Sequence, residues 1–409
     1  MPNFSLDDKV FEAAAALFPT PFYLYDERGI RQAAQAVNRA FFFAIDFREY
    51  FAVKALPNPE ILKILMDEGC GLDCSSMPEL LLAQKVNARG EDIMFSANAM
   101  PAGELHMAQK MGALINLDDE SDVDLLDYRL GIPETICLRV NPGDSLTHNT
   151  IMGSAEDSKF GFMPSQLQGA LEQLKALGLR GFGLHAMGAS NTLEEGYYAR
   201  NASFLFGLGK ELSAQAGLAF RFVNLSGGIG IPYRRALPPA DIHRVASLVQ
   251  EQYEDAFFNQ EKVGIKTEMG RFITGPNGWL VTRAIHKKQS YRTYIGLDAC
   301  ASNLMRPAMY GAYHHVTVIG KRDAAEDHVY DLTGALCENN DKFAVNRPLP
   351  EITLGDLLIL HDAGAHGHAM GYQYNGRLRS AEVLYTKDGQ FRLIRRAETP
   401  EDYFRTLVN

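Results

Sequence analysis

The stretch FAVKALPNPEIL, residues 51–62, sets a lysine inside an apolar run that ends at a Pro-Asn-Pro breaker and passes into a helical pattern. Phe51, Ala52, Val53 and Ala55 read as a buried strand, and Pro57-Asn58-Pro59 as the turn behind it. Ile61, Leu62, Leu65 and Met66 fall on one face of the helix that follows. Lys54 is therefore expected to point inward from the strand. Burying an ammonium costs several kcal/mol unless it is paired or neutralised, so this lysine either reaches solvent over the strand end or has a chemical task.

The same strand, turn and helix unit recurs outward from this stretch. YFAVKAL, GLDCSS, DIMFSAN, ALINLDD, ICLRVNP, GFGLHAM, FVNLSGG and IKTEMGR are apolar runs that end in Gly, Ser, Asn or Asp, and amphipathic stretches such as SMPELLLAQKVNARG and SQLQGALEQLKALG separate them. This alternation predicts an α/β fold with a (β/α)8 TIM-type barrel over residues 28–275, whose active site lies at the C-terminal ends of the strands. Lys54, Asp73, Ser96, Asn98, Asn141, His185, Ser226 and Glu268 all fall near those ends. After residue 275 the strands GWLVTRAIHKK, YRTYIGLDA, HHVTVIG, VYDLTGALC, DLLILHDAG, AEVLYT and FRLIRR follow with few helical patterns between them. They predict a C-terminal all-β domain over 276–409, joined by residues 1–27, in which PFYLYDE is a further strand.

Composition narrows the functional classes. A chain of 409 residues can bury two cores, and 46% hydrophobic with 22% charged residues is ordinary for a globular protein. The net charge of -10 argues against a nucleic-acid or anionic-membrane surface and leaves small molecules or proteins as partners. The first twenty residues have neither a basic start nor an apolar core of signal length, and no run is long enough for a membrane span, so a cytoplasmic location is expected. Five cysteines without CxxC spacing indicate neither a disulfide framework nor a zinc ribbon.

Four segments could carry chemistry. NLSGGIGIP (224–232) ends a strand in a glycine loop that could aim backbone N–H groups at an anion or could be a plain tight turn; it lacks the GxGxxG dinucleotide fingerprint. TEMGRFITG (267–275) places Glu268 and Arg271 about Gly270, which also reads as a surface turn. DLTGALCENNDKF puts Cys337 and Glu338 together at a strand end, where the alternative is a buried structural thiol. HDAGAHGHAM offers His361, His366 and His368, but no carboxylate or cysteine cluster completes a ligand set, so no metal is expected.

Taken in order, FAVKA, LRVNPGDSLTHNTI with SKFGF (138–162), GLH, SGGIG, EMGR, RPAMY (306–310), CENND (337–341) and AGAHGHAMGYQYN (364–375) resemble the pyridoxal-phosphate-dependent amino-acid decarboxylases with an alanine-racemase-type barrel, above all the diaminopimelate decarboxylases. The resemblance covers nearly the whole chain. It implies pyridoxal 5'-phosphate as cofactor and a homodimer with shared active sites. Lys54 would hold the cofactor covalently, which requires a neutral amine and favours a desolvated lysine. Glu268 would pair with the pyridine nitrogen and His185 would stack on the ring. Gly228 and Gly230 with Tyr374 would bind the phosphate, and Asp73, Arg139 and Ser226 would stand around the cofactor. Arg271, Arg306 and Tyr310 would hold a carboxylate at the far end of the substrate, because guanidinium donates two parallel bonds. Cys337 and Glu338 would come from the second subunit, the thiol acting near the α-carbon and the glutamate reading the distal ammonium.

Several positions depart from the family pattern. Asn339 follows the Cys-Glu pair where Ser or Thr is usual, Met269 replaces a proline, His366 replaces a tyrosine, and HAMGAS interrupts the usual HxGS spacing. LDCSSMPEL is as close to the ornithine branch as to the diaminopimelate branch. The implied reaction is decarboxylation of meso-diaminopimelate to L-lysine. The alternatives are another amino acid (D- or L-ornithine, lysine, arginine or carboxynorspermidine), a racemase, or a non-catalytic regulatory relative. The last should lack the lysine or the thiol, and both are present.

Overall fold

The computed structural model describes residues 6–143, 157–258 and 261–408. Residues 144–156 of the 138–162 block lie outside the described residues. The chain divides into two units, one of residues 31–231 and 239–272, the other of residues through Ile30, Pro232–Pro238 and Ile273 onward.

Strands are numbered along the chain from β1 (Phe22–Asp26). In the first unit β2 (Arg48–Ala52), β3 (Gly71–Cys74), β4 (Ile93–Ser96), β5 (Leu114–Leu117), β6 (Thr135–Arg139), β7 (Gly181–His185), β8 (Ala219–Asn224) and β9 (Gly264–Thr267) close into a parallel barrel. Pairing of β2 with β9 completes it. Tyr50, Met94, Leu114, Cys137 and Phe222 fill the interior. Gly183 has no side chain because a Cβ there would stand 2.4 Å from the Phe222 ring. The helix Pro59–Asp67 begins where Asn58 accepts the Glu60 N–H at 3.1 Å and proline occupies the first turn, and it buries Ile61, Leu62, Ile64 and Leu65.

Lys54 does not stand in a strand as its apolar neighbours predict. β2 stops at Ala52, and Val53–Ala55 wind into a 3₁₀ turn closed by the Leu56 N–H on Val53 O at 3.1 Å. Pro57 and Pro59 have no N–H to continue a ladder, so the chain coils before the lysine is reached. Lys54 is exposed rather than buried at a strand centre.

The second unit holds a nine-stranded sheet. Its strands are β1, β10 (Gly278–Gln289), β11 (Thr293–Leu297), β12 (Val316–Val318), β13 (His328–Thr333), β14 (Lys342–Leu349), β15 (Leu357–Leu360), β16 (Ala381–Tyr385) and β17 (Phe391–Arg395). Their order is β14-β13-β11-β10-β1-β16-β17, with β15 joining β10 and β12. β1 runs antiparallel to β10 and parallel to β16, the place that the FYLYD run fits because all five of its residues are buried. Phe11, Phe22, Leu24, Trp279, Val281, Ile359 and Val383 form one core, with Phe11 edge-on to Trp279 at 5.5 Å. Burial of each large apolar side chain there is worth about 1.5–3 kcal/mol. β14 was not foreseen: Asn346, Arg347 and Pro348 interrupt its apolar pattern, and its pairing with β13 shifts register. Among the described residues, no helix is long and apolar enough to cross a membrane.

Candidate active site

Ser96, His185, Asn224 and Ser226, polar residues at the C-terminal ends of the barrel strands, meet around Glu268. This residue directly follows β9 and is buried, and its Oε1 accepts from Asn224 Nδ2 at 2.6 Å and Ser96 Oγ at 3.3 Å. Its Oε2 accepts from Ser226 Oγ at 3.3 Å and lies 3.5 Å from His185 Nε2. Asn116 Nδ2 donates to His185 Nδ1 at 2.7 Å and to Ser96 Oγ at 3.1 Å. That bond leaves the imidazole proton on Nε2, the nitrogen that faces Glu268. Burial pushes the His185 pKa down to about 4, against the pull of Glu268, so the ring is neutral near pH 7.

Glu268 and Asp73 are two buried carboxyls whose environments push them apart. Burial followed by the charge of Glu268 raises Asp73 well above the usual carboxylate range, and among the described residues its Oδ1 has no partner. Burial also acts to raise Glu268, but His185, Lys54 and the Asn224 amide outweigh it and hold Glu268 below its ordinary value. Lys54 belongs to this group electrostatically, for its charge acts on Asp73, Glu79, Glu268 and His185. Gly270 permits the approach of the Glu268–Arg271 turn to the Lys54 turn, since a Cβ there would lie 2.6 Å from that of Ala55. Glu49 secures the same turn from beneath by accepting from Thr267 Oγ1 at 2.5 Å and from the Met269 N–H at 2.6 Å. Arg139, at the end of β6, lies 3.4 Å from Asp118 and stacks at 4.2 Å on the Phe160 ring.

The glycine loop is strapped down on both sides. Ser226 and Gly228 have φ of 60° and 108°, and a Cβ on Gly228 would be 2.6 Å from Ala189 O. Tyr198 donates to the carbonyls of Ser226 and Gly227 at 2.7 and 3.1 Å. The Gly230 N–H is taken by Thr192 O at 2.8 Å and the Ile231 N–H by Asn191 Oδ1 at 3.0 Å. Among the described residues, the N–H groups of Gly227, Gly228 and Ile229 have no acceptor. These three are the loop's unbonded donors; Gly230 contributes through its missing Cβ, since a Cβ there would be 2.5 Å from Asn191 Oδ1.

Arg306, Tyr310, Cys337, Glu338 and Tyr374 belong to the second unit, whereas the other expected residues, Arg271 included, belong to the barrel. Arg306 is buried, with Nη1 at 3.0 Å from His314 Nε2 and its guanidinium 4.5 Å over the Tyr233 ring. Tyr310 and Tyr374 are exposed. Cys337 is exposed too, against the alternative of a buried structural thiol, whereas Cys70, Cys74, Cys137 and Cys300 are buried.

These groups fit pyridoxal phosphate. An imidazole nitrogen without a partner among the described residues, an ionised buried carboxylate, a nearby amine and three unbonded N–H groups on a glycine loop are the donor and acceptor set that a planar pyridine with a phosphate arm requires. Residues 27–275 match the family model of the pyridoxal-binding domain of pyridoxal-dependent decarboxylases. The chain belongs to the pyridoxal-dependent decarboxylases.

Its relatives span nearly the full length. The chain is 44% identical over 387 residues to the protein TabA of Pseudomonas amygdali pv. tabaci, covering 94% of this chain and 90% of that one. It is 33% identical over 392 residues to the diaminopimelate decarboxylase of Methanothermobacter thermautotrophicus, covering 95% and 91%. Among solved structures, the diaminopimelate decarboxylase of Helicobacter pylori in complex with L-lysine superposes with a TM-score of 0.86 at 27% identity, over 97% and 98% of the two chains. That of M. jannaschii with L-lysine gives 0.88 at 26%, over 97% and 94%. The protein is thus a pyridoxal-phosphate-dependent amino-acid decarboxylase with the barrel-plus-β-domain fold expected from sequence.

Asn116, Asn224, Glu49 and Tyr198 support this decarboxylase site and were not singled out from the sequence. Their only signal was a polar residue within or beside an apolar run, as in ALINLDD and FVNLSGG.

Proposed function

We propose that this decarboxylase acts on meso-diaminopimelate and yields L-lysine. The observation that carries the reading is the retention of Arg271, Arg306 and Glu338, a set able to bind both a carboxylate and an ammonium at the far end of a diamino acid. The diaminopimelate decarboxylases that match over almost the whole chain support it. The TabA relative, whose name states no substrate, is the reason to retain another amino acid of the ornithine, lysine, arginine or carboxynorspermidine type as the second reading.

Pyridoxal phosphate, when bound, supplies an electron-poor ring that accepts the electron pair released as the α-carboxylate leaves as CO2. In our reading Lys54 would anchor the cofactor through Nζ and Glu268 would accept a hydrogen bond from the pyridinium N–H. Neutral His185 would cover the ring, and the Gly228 N–H, the Gly230 position and the Tyr374 hydroxyl would hold the phosphate. Asp73, Arg139 and Ser226 set the charge and hydrogen bonding around that group. Arg271, Arg306 and Tyr310 bind the distal carboxylate, and the Cys337 thiol delivers the proton that replaces CO2. As in the family resemblance, Cys337 and Glu338 serve the site of a second subunit.

The test is CO2 release from a panel of meso-diaminopimelate, lysine, ornithine, arginine and carboxynorspermidine, by wild-type protein and Arg306→Ala. Loss of a charge-assisted bond worth about 1.5–3 kcal/mol should lower activity on diaminopimelate at least tenfold, roughly 1.4 kcal/mol, and leave lysine or ornithine turnover far less affected. Wild-type protein that decarboxylates ornithine or lysine and leaves diaminopimelate untouched would reject this substrate.

A further inference from the structure

The turn that carries Cys337 and Glu338 is exposed, yet it is tied down from two directions. From below, the buried carboxylate of Asp341 accepts the N–H groups of Ala301 and Leu336 at 2.7 and 2.8 Å, and the Asp341 N–H returns to Glu338 O at 3.0 Å. From the side, the segment 372–377 grips it at three points. Tyr372 packs on the Cys300, Ala301 and Leu336 cluster, Arg377 Nη2 donates to Ala335 O at 3.2 Å, and Asn375 Oδ1 accepts the N–H of Cys337 itself at 2.6 Å. Asn375 makes that bond from φ 52°, a left-handed conformation that asparagine tolerates better than most residues. Among these contacts, only the one from Asn375 ends on the backbone of the thiol residue.

We propose that Asn375 is the positioning residue for the Cys337 thiol. A thiol that protonates one face of an α-carbon must be held within a fraction of an ångström, and an exposed turn lacks the packing that locks a buried side chain. The short bond from Asn375 fixes the Cys337 N–H, and with it the Cα–Cβ direction, while Asp341 fixes the base of the turn. Asn375 touches neither substrate nor cofactor in this role; it acts through Cys337. The proposal rests on the reading of Cys337 as the proton donor.

The experiment uses the reconstituted holoenzyme and three variants. Asn375→Gly removes the acceptor and accepts the backbone conformation, Asn375→Ala removes it with some strain, and Asn375→Asp keeps an acceptor oxygen. Because the other four cysteines are buried, one fast phase of alkylation by iodoacetamide, absent in Cys337→Ala, reports the thiol directly. Asn375→Gly and Asn375→Ala should lower kcat at least tenfold with KM within about twofold and cofactor absorbance unchanged, should alter the alkylation rate of Cys337 at least threefold, and Asn375→Asp should recover most of kcat. Wild-type kcat and alkylation rate in both acceptor-deleted variants, with Cys337→Ala inactive, would overturn the role of Asn375. A fully active Cys337→Ala would instead overturn the reading of the thiol on which that role rests.

Discussion

Asn224 offers the sharpest test of the barrel-mouth chemistry, because its two amide atoms do different work. Its Nδ2 donates to Glu268 Oε1 at 2.6 Å, and its Oδ1 accepts the Ser226 N–H at 2.8 Å at the start of the glycine loop. Both residues are buried, so the bond to the carboxylate is not weakened by solvent. A hydrogen bond to a charged group is worth about 1.5–3 kcal/mol, and Asn224→Ala should lower kcat/KM by roughly tenfold to a hundredfold. With a donor gone, burial acts on Glu268 with less opposition and its pKa rises. Activity that needs the carboxylate is lost as pH falls through that value, so the acid limb of the pH profile should move upward. Asn224→Asp separates the two atoms. It keeps the acceptor for Ser226 but sets a second carboxyl against Glu268, and should be worse than Ala if the charge of Glu268 is what matters. Steady-state CO2 release between about pH 5 and 9, with bound cofactor checked by absorbance, measures all of this. An Ala variant with wild-type kcat/KM and an unmoved acid limb would refute the reasoning, and so would an Asp variant more active than Ala.

Two further outcomes are expected. If the sites are shared, equal mixing of inactive Lys54→Ala and inactive Cys337→Ala should restore about one quarter of wild-type activity, since half of the random dimers are hybrids and each hybrid has one intact site of two; no recovery after confirmed subunit exchange would mean that each site belongs to one chain. His368 is fixed neutral, with Nε2–H donating to Ser380 O at 3.1 Å and Nδ1 accepting from Arg379 at 2.9 Å, and burial lowers its pKa to about 4. The unfolded chain therefore binds the proton first as pH falls from 6.5 toward 4, at a cost of about 3 kcal/mol to the fold; His368→Gln should flatten this part of the calorimetric Tm–pH curve, and an unchanged slope would contradict the assignment.

The barrel was legible because its strands announce themselves twice, as apolar runs and as runs stopped by Gly, Asn or Asp, so an error of a residue or two moved nothing between faces. Lys54 shows where that reading stops. Its neighbours Val53 and Ala55 are buried as a strand pattern predicts, but the backbone had already coiled, which burial alone cannot signal. β14 stayed hidden because Asn346 takes φ 49° inside the strand and Pro348 follows it. The hydrogen-bonding shell was illegible for another reason. Asn116 and Asn224 stand 108 positions apart and acquire meaning only when β5 and β8 bring them to His185 and Glu268.

The division of labour between Asp73 and Glu268 follows from that same shell. Two carboxyls on one buried rim cannot both be charged cheaply. Asn224, Ser96 and Ser226 all donate to Glu268, and His185 and Lys54 favour its charge. Asp73 keeps one oxygen without a partner among the described residues and feels Glu268 as a like charge. Burial and the charge of Glu268 therefore push Asp73 toward its protonated form, while its donors hold Glu268, the carboxylate we pair with the cofactor's nitrogen, toward its ionised form. The neutral state of His185 belongs to the same arrangement, since its Nε2–H presents a dipole rather than a full charge to Glu268 and leaves that carboxylate free to favour a cation on the ring. In our reading these strand-end residues supply the polarity that an electron-accepting ring needs, while the choice of amino acid would fall to Arg271, Arg306, Tyr310 and Glu338.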